Sequence, residues 1–154
     1  MDHRCTSPFE FTLPTKIVYG CGVLKQLPEE VRKAGVSRIL IITDPGIVGA
    51  GIVKQVTDLL DAADLTYMVF DGVEANPKDV NAEAGARAAR EIDADCMIAV
   101  GGGSPIDCAK AIGVLLGHDA EYIKPYEGKT AAKLPGPPLI TIPTTAGTGS
   151  EITF

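Results

Sequence analysis

Short apolar runs alternate along the chain with longer segments whose apolar residues recur at helical spacing. The runs that predict strands are KIVYG at 16–20, RILIIT at 38–43, TYMVF at 66–70, CMIAV at 96–100 and LITIP at 139–143. Between them, helices are predicted over 23–34, 52–62, 78–92 and 105–116. Because strand and helix alternate, the crossovers should be right-handed. The pattern predicts an α/β fold, a Rossmann-like parallel sheet with helices on both faces.

A glycine-rich turn follows the run CMIAV and opens a predicted helix. Its residues are Gly101, Gly102, Gly103, Ser104 and Pro105. Glycines let the main chain approach a pyrophosphate closely, and the amino end of a helix attracts negative charge. We therefore predict a phosphate-binding turn, with Ser104 as the N-cap and Pro105 at the first helical position.

Asp107 belongs to the first turn of this predicted helix and allows two interpretations. Its carboxylate either caps free backbone amides or helps to hold a nucleotide, and the two roles are compatible. Lys110 is expected to pair with Asp107 at the i, i+3 spacing rather than to face the phosphates.

Hydroxyl groups crowd the segment that follows the strand LITIP, where Thr144, Thr145 and Thr148 alternate with small residues. Such hydroxyls can bond the oxygens of a cofactor. A loop of this composition on its own is more often an ordinary turn. The glycine-rich turn at the same edge of the sheet favours the binding role here.

Two polar residues follow other strands of the predicted sheet. Asp44 comes after RILIIT, where a carboxylate can accept hydrogen bonds from a ribose diol and would repel a 2′-phosphate. It therefore favours NAD over NADP, although an Asp-Pro-Gly turn is the alternative. Asn76, before Pro77, either bonds the same ribose or begins a turn.

Composition and charge exclude several classes of partner. Hydrophobic residues make up 45% of the chain, and 14 basic against 20 acidic residues give a net charge of −6. This charge would repel the phosphates of a nucleic acid. No apolar run approaches the roughly 20 residues of a membrane-spanning helix, and the amino terminus lacks a signal peptide. We expect a cytoplasmic protein with no nucleic-acid or membrane partner.

Five segments together resemble the iron-containing (group III) alcohol dehydrogenase family over the whole chain. They are FTLPTKIVYG with the following GCGVL, ITDPG, NPKDV, GGGSPIDCAKAI and PTTAGTGSEIT. The resemblance implies the amino-terminal domain of a dehydroquinate synthase-like fold, in an enzyme that transfers hydride between NAD(P) and a primary alcohol or aldehyde. It also implies nucleotide contacts at Asp44, Asn76, the 102–107 segment, Thr144, Thr145 and Thr148.

The same resemblance implies one divalent metal, usually iron, held by an Asp and three His of a later helical domain. This sequence has only His3 and His118. We therefore interpret residues 1–154 as the NAD(P)-binding amino-terminal domain without the metal-binding domain, inactive by itself. The apolar end at 152–154 suggests a truncated domain whose exposed surface favours a homo-oligomer.

Two alternatives remain open at this point. One is a non-catalytic, truncated nucleotide-binding module. The other is a relative of glycerol dehydrogenase or dehydroquinate synthase, which share the architecture and the glycine-rich turn. The PTTAGTGSE segment favours the alcohol dehydrogenase branch. The identity of the alcohol or aldehyde does not follow from the sequence.

Overall fold

A four-stranded parallel sheet forms the centre of the computed structural model, which describes residues 15–128 and 132–152. The strands are β1 (Arg38–Ile42), β2 (Thr66–Phe70), β3 (Cys96–Gly101) and β4 (Leu139–Pro143), in the order β2-β1-β3-β4. Every neighbouring pair is parallel. The sheet confirms the predicted α/β fold and four of the five predicted strands.

Five helices connect and cover these strands. They are α1 (Leu27–Lys33), α2 (Pro45–Gly49), α3 (Ile52–Asp61), α4 (Asp79–Glu91) and α5 (Gly103–Gly117). A 3-10 turn at Val23–Gln26 precedes α1, and others lie at Lys124–Tyr126 and Ser150–Ile152. The four predicted helices are confirmed within a few residues, and α2 is an addition. None of the helices in the described residues has the length and apolar content to cross a lipid bilayer.

The alternating side chains of β1 separate two apolar clusters on opposite faces of the sheet. Leu40 and Ile42 pack with buried residues of α4 and α5. Ile39 and Ile41 pack on the other face with buried residues of α1 and α3. All four are fully buried, and burying each such side chain stabilises the fold by about 1.5–3 kcal/mol. Burial on both faces fixes the sheet, and hence the position of its carboxyl edge.

The predicted strand at 16–20 is wrong. Residues 16–19 carry no regular structure, and no strand pairs with them within the described part of the chain. The side chain of Tyr19 is 97% exposed and that of Ile17 is 61% exposed. The apolar, β-branched composition of KIVYG favours a strand only where a neighbouring ladder and a buried face are available. The described sheet supplies neither to this segment.

The chain reverses its direction of winding between β1 and β3. From β1 it continues to β2 on one side, and β3 then pairs with the opposite side of β1. Ligands of open parallel sheets bind at the carboxyl ends of the strands beside such a switch point. Here Thr43, fully buried, donates its hydroxyl to the Val100 carbonyl over 2.9 Å and joins the two strand ends.

Candidate functional site: a cavity at the sheet switch point

A cavity of about 530 Å³ lies at the carboxyl ends of β1 and β3. Its volume falls in the usual range for small-molecule and cofactor sites. We call it the switch-point cavity. Its lining residues are Asp44, Pro45, Ile47, Val73, Glu74, Ala75, Gly102, Gly103, Ser104, Pro105, Thr144 and Thr145.

The switch-point cavity brings together most of the residues that the sequence nominated. Seven of the ten candidates line it: Asp44, Gly102, Gly103, Ser104, Pro105, Thr144 and Thr145. Asn76, Asp107 and Thr148 are not among its lining residues. Segments far apart in sequence therefore meet at one edge of the sheet, as expected for the carboxyl ends of parallel strands.

The glycine-rich turn differs in detail from the prediction. Helix α5 begins at Gly103 with Gly102 as its N-cap, so Ser104 and Pro105 occupy its second and third positions. The predicted N-cap at Ser104 and first position at Pro105 are wrong. Proline is still tolerated because the first four amides of a helix have no partner inside it. The early start depends on Gly101, whose φ of +147° suits glycine.

The amino end of α5 forms one wall of the cavity. No side chain caps this end among the described residues, and residues 102–105 line the cavity. Aligned peptide dipoles make such an end electropositive. A Cβ placed on Gly102 would lie 3.1 Å from Thr145 Oγ1, so Thr145 packs so closely on this position that a side chain here would be crowded. This wall therefore presents backbone amides and the positive end of the helix dipole to the cavity.

Asp44 also lines the cavity and is the N-cap of α2. Its Oδ1 accepts a hydrogen bond from the Ile47 amide over 3.0 Å, and Pro45 takes the first helical position. The Asp-Pro-Gly segment therefore begins a short helix rather than forming only a turn. The cap engages one carboxylate oxygen, and a carboxylate has two oxygens with several acceptor sites. Capping and ligand binding are compatible at this residue.

Asn76 lies beside the cavity rather than in its lining. It is exposed and adopts a left-handed backbone with φ of +55°, which Asn tolerates better than most residues. The neighbouring Val73, Glu74 and Ala75 do line the cavity. Sequence reasoning missed these three. Their place directly after β2, at the carboxyl edge, is the signal that would have found them.

Asp107 occupies the second turn of α5, because the helix starts at Gly103. The predicted capping of first-turn amides is therefore wrong. Its Oδ2 instead accepts a hydrogen bond from the Ser150 hydroxyl over 3.2 Å. Its Oδ1 lies 3.7 Å from Lys110 Nζ, which confirms the predicted pairing. Burial lowers the pKa of Lys110, and the nearby Asp107 carboxylate opposes this shift.

Thr148 and Ser150 belong to the segment after β4, residues 144–152, which we call the threonine loop. Thr148 Oγ1 accepts from the Ser150 amide over 3.3 Å and donates to Glu151 Oε2 over 3.2 Å. Ser150 is buried at 7% exposure. Sequence reasoning missed Ser150, because its contact with Asp107 spans 43 positions and no local pattern reports it.

The described residues do not fit a metal centre. Residues 15–128 and 132–152 contain no group of three or more His, Cys, Asp or Glu side chains that could hold an ion. The ring nitrogens of His118 contact backbone groups: Nδ1 lies 3.0 Å from the Val114 carbonyl of α5, and Nε2 accepts from the amides of Lys133 and Leu134. His3 lies outside the described residues.

Known proteins are similar to this chain in both sequence and fold. The choline dehydrogenase of Bacillus subtilis is 42% identical over 145 residues, which cover 93% of this chain and 36% of that protein. The crystal structure of a 1,3-propanediol oxidoreductase superimposes with a TM-score of 0.88 at 35% identity, over 96% of this chain and 38% of that one. The sulfoacetaldehyde reductase of Bifidobacterium kashiwanohense, solved with NAD⁺, gives 0.83 at 29% identity, over 96% and 39%.

The matched part is a fraction of these proteins. The chain spans a little over a third of the length of the relatives it matches. The family model described as iron-containing alcohol dehydrogenase matches residues 14–154. The chain therefore belongs to the iron-containing alcohol dehydrogenase family.

Proposed function

We propose that this chain is the nucleotide-binding portion of an NAD-dependent alcohol dehydrogenase that interconverts a primary alcohol and its aldehyde. The observation that carries the proposal is the switch-point cavity, which the amino end of α5 and Asp44 both line. Bound NAD would supply the hydride chemistry through its nicotinamide ring. The residues of this chain bind and orient the nucleotide.

The amino end of α5 receives the pyrophosphate in this proposal. Residues 102–105 present backbone amides and the positive end of the helix dipole to the cavity. Thr144 and Thr145 form the facing wall, with hydroxyls that donate hydrogen bonds to phosphate or ribose oxygens. Asn76 and Thr148 are the outer contacts, since each lies beside a segment that lines the cavity.

Asp44 selects NAD over NADP in this proposal. Its carboxylate accepts from the two hydroxyls of a ribose and repels a 2′-phosphate. Within the part of the chain that the structure describes, no lysine or arginine lines the switch-point cavity to attract that phosphate. The NAD⁺ bound to the sulfoacetaldehyde reductase supports the same cofactor class.

The substrate class comes from the relatives. Choline and 1,3-propanediol carry primary hydroxyl groups, and sulfoacetaldehyde is an aldehyde. We infer a small primary alcohol or aldehyde as the substrate, a cytoplasmic location and a homo-oligomeric state. The iron of the family name needs ligands that the described residues do not supply. Nucleotide binding by this chain does not require it.

Calorimetric titration of the 154-residue chain with NAD and with NADP tests the proposal. The wild type is expected to bind NAD at least about tenfold more tightly than NADP. Asp44→Asn keeps an oxygen to accept from the Ile47 amide but loses the negative charge, so its preference should fall toward equality. Asp119→Asn is the matched control, because this carboxylate is 99% exposed at the end of α5 away from the cavity.

Two outcomes contradict parts of this proposal. A folded wild-type chain that binds neither nucleotide refutes the binding function. An unchanged preference in Asp44→Asn refutes the role of Asp44.

A second experiment distinguishes a catalytic chain from a non-catalytic nucleotide-binding module. Ferrous iron and 1,3-propanediol are added to the NAD-saturated chain, and NADH is measured. NADH formation would favour catalysis by this chain, whereas binding without turnover would favour the non-catalytic module.

A further inference from the structure

A hydrogen bond between Ser150 and Asp107 attaches the threonine loop to α5. Ser150 Oγ donates to Asp107 Oδ2 over 3.2 Å, and Ser150 is 7% exposed. The two residues are 43 positions apart, so the contact holds separate parts of the chain together. Lys110 Nζ lies 3.7 Å from the other oxygen of Asp107 and restrains the carboxylate from its own helix.

The attached loop packs directly on the glycine-rich turn. A Cβ placed on Gly103 would lie 3.1 Å from Ser150 Oγ and 3.5 Å from Thr148 Cβ. A Cβ on Gly102 would lie 3.1 Å from Thr145 Oγ1. The loop therefore contacts the turn at two successive glycines. In so close a packing, a displacement of Ser150 changes how the loop packs on Gly103, which lines the switch-point cavity.

Hydrogen bonds inside the threonine loop let its attachment to α5, at Ser150, restrain neighbouring residues as well. Thr148 Oγ1 accepts from the Ser150 amide over 3.3 Å. The same hydroxyl donates to Glu151 Oε2 over 3.2 Å. Thr148, Ser150 and Glu151 are thus joined near the end of the loop, so the contact at Ser150 restrains all three.

Charge argues against direct contact between Asp107 and a nucleotide. Like charges at close range in a partly buried site repel, and both Asp107 and a pyrophosphate are anionic. Asp107 does not line the switch-point cavity. It lines a separate, smaller cavity of about 190 Å³ between α4 and α5.

We propose that Asp107 is a positioning residue for nucleotide binding. Its carboxylate fixes Ser150, and through Ser150 it holds the threonine loop at Thr148 against Gly103, which lines the switch-point cavity. The proposal rests on the proposed binding of NAD in the switch-point cavity, and it assigns Asp107 an indirect role in that binding. Loss of either partner loosens the packing of the loop on Gly103, so bound NAD leaves faster while its rate of association stays the same.

A double-mutant cycle on the full chain tests this role. Ser150→Ala and Asp107→Ala are each expected to weaken NAD binding about tenfold, mainly through the dissociation rate. The double variant should also lose about tenfold, not a hundredfold, because both changes remove one contact. Asp107→Asn keeps an acceptor oxygen and should recover most of the affinity. Asp79→Ala, which removes a carboxylate from the other side of the smaller cavity, should bind like the wild type.

Amide hydrogen exchange of the nucleotide-free chain supplies a readout that does not depend on NAD. Both alanine variants should speed exchange at residues 144–152 and leave β1 and β3 unchanged. Unchanged exchange, unchanged affinity in both variants, or losses that multiply in the double variant would each overturn the positioning role. If exchange responds as expected but the wild type binds no NAD, the binding function fails while the attachment of the loop by Asp107 stands.

Discussion

Asp44 combines a structural contact with a place in the switch-point cavity. Its Oδ1 accepts from the Ile47 amide, and the residue lies where β1 ends. Replacement by a residue without an acceptor oxygen would remove both contributions at once. The N-cap alone is worth about 1 kcal/mol. A variant meant to report on nucleotide selectivity must therefore keep an oxygen at this position, as asparagine does.

Thr43 makes the next contact along the same strand end. Its hydroxyl donates to the Val100 carbonyl over 2.9 Å, one residue beyond the last β1–β3 backbone pair of Ile42 with Ala99. Its amide donates to the Phe70 carbonyl over 2.9 Å. A single buried residue thus joins the ends of three strands. Its hydrogen bond to Val100 therefore holds Asp44, the next residue, at a set distance from the glycine-rich turn, which begins directly after Val100.

Thr43→Val tests the value of this hydroxyl. Valine fills the same volume but leaves the buried Val100 carbonyl without its donor, so the free energy of unfolding should fall by about 1–2 kcal/mol. Urea denaturation measures the change. Thr57→Val is the matched control, since the Thr57 hydroxyl donates to the Lys54 carbonyl within an exposed part of α3. The control should change by less than about 0.5 kcal/mol. Equal losses in the two variants would contradict the assignment.

At the scale of elements, the sequence predicts what depends on local pattern. The continuous apolar runs of β1 and β3 are buried on both faces, as central parallel strands require. Gly35 ends the first helix with φ of +70°, as its position after the apolar pattern predicts. Local patterns of this kind, continuous apolar runs and apolar residues at helical spacing, therefore predict these strands and helices correctly.

The errors lie where distant residues decide the local structure. KIVYG has the composition of a strand but finds no ladder in the described sheet. Helix α5 starts two residues earlier than Pro105 suggests, directly after Gly101, whose φ of +147° favours glycine, and the N-cap Gly102. In the candidate site, the glycine-rich turn and Asp44 follow from local motifs. Ser150 and the 73–75 segment do not, because only the folded chain brings them to the cavity.

At the amino ends of the strands, Asp95, which directly precedes β3, bonds the chain where β1 begins. Its carboxylate accepts from the amides of Ser37 and Arg38 and from the Ser37 hydroxyl, at 2.7–3.1 Å. Partial burial raises the pKa of Asp95, but these hydrogen bonds together lower it below its ordinary value of 3.8. The ionised form is therefore bound more tightly in the folded chain than in the unfolded chain.

Asp95→Asn should change how stability depends on pH. Because the folded pKa is depressed, the carboxylate contributes its full stability above pH 3.8, and this contribution is lost as pH falls through the folded pKa. The wild type should exceed the variant in unfolding free energy near neutral pH, and the gap should narrow below pH 3.8. Denaturant unfolding across this range measures it. Asp93→Asn, at a φ of +49° that Asn tolerates, is the matched control for the loss of one nearby carboxylate charge.

At the scale of the whole molecule, the sheet joins two apolar clusters that carry one buried thiol each. Cys108 belongs to the cluster that includes buried residues of α4 and α5. Cys96 belongs to the cluster on the other face. Burial raises the pKa of Cys96 to about 11 and that of Cys108 to about 12, so neither reacts as a thiolate while the fold is closed. The two thiols report separately on the opening of the two faces.

Thiol labelling at mildly alkaline pH tests whether both faces open together. The chain should carry Cys21→Ser, because that thiol is exposed, and Cys5→Ser, because Cys5 lies outside the described residues. If the sheet and both clusters form one cooperative unit, Cys96 and Cys108 should be labelled slowly and at the same rate. NAD at a hundred times its dissociation constant should then slow both about a hundredfold, since labelling requires the unliganded, open chain. Slowing confined to one thiol would mean that the two faces open independently and that nucleotide binding stabilises only one of them.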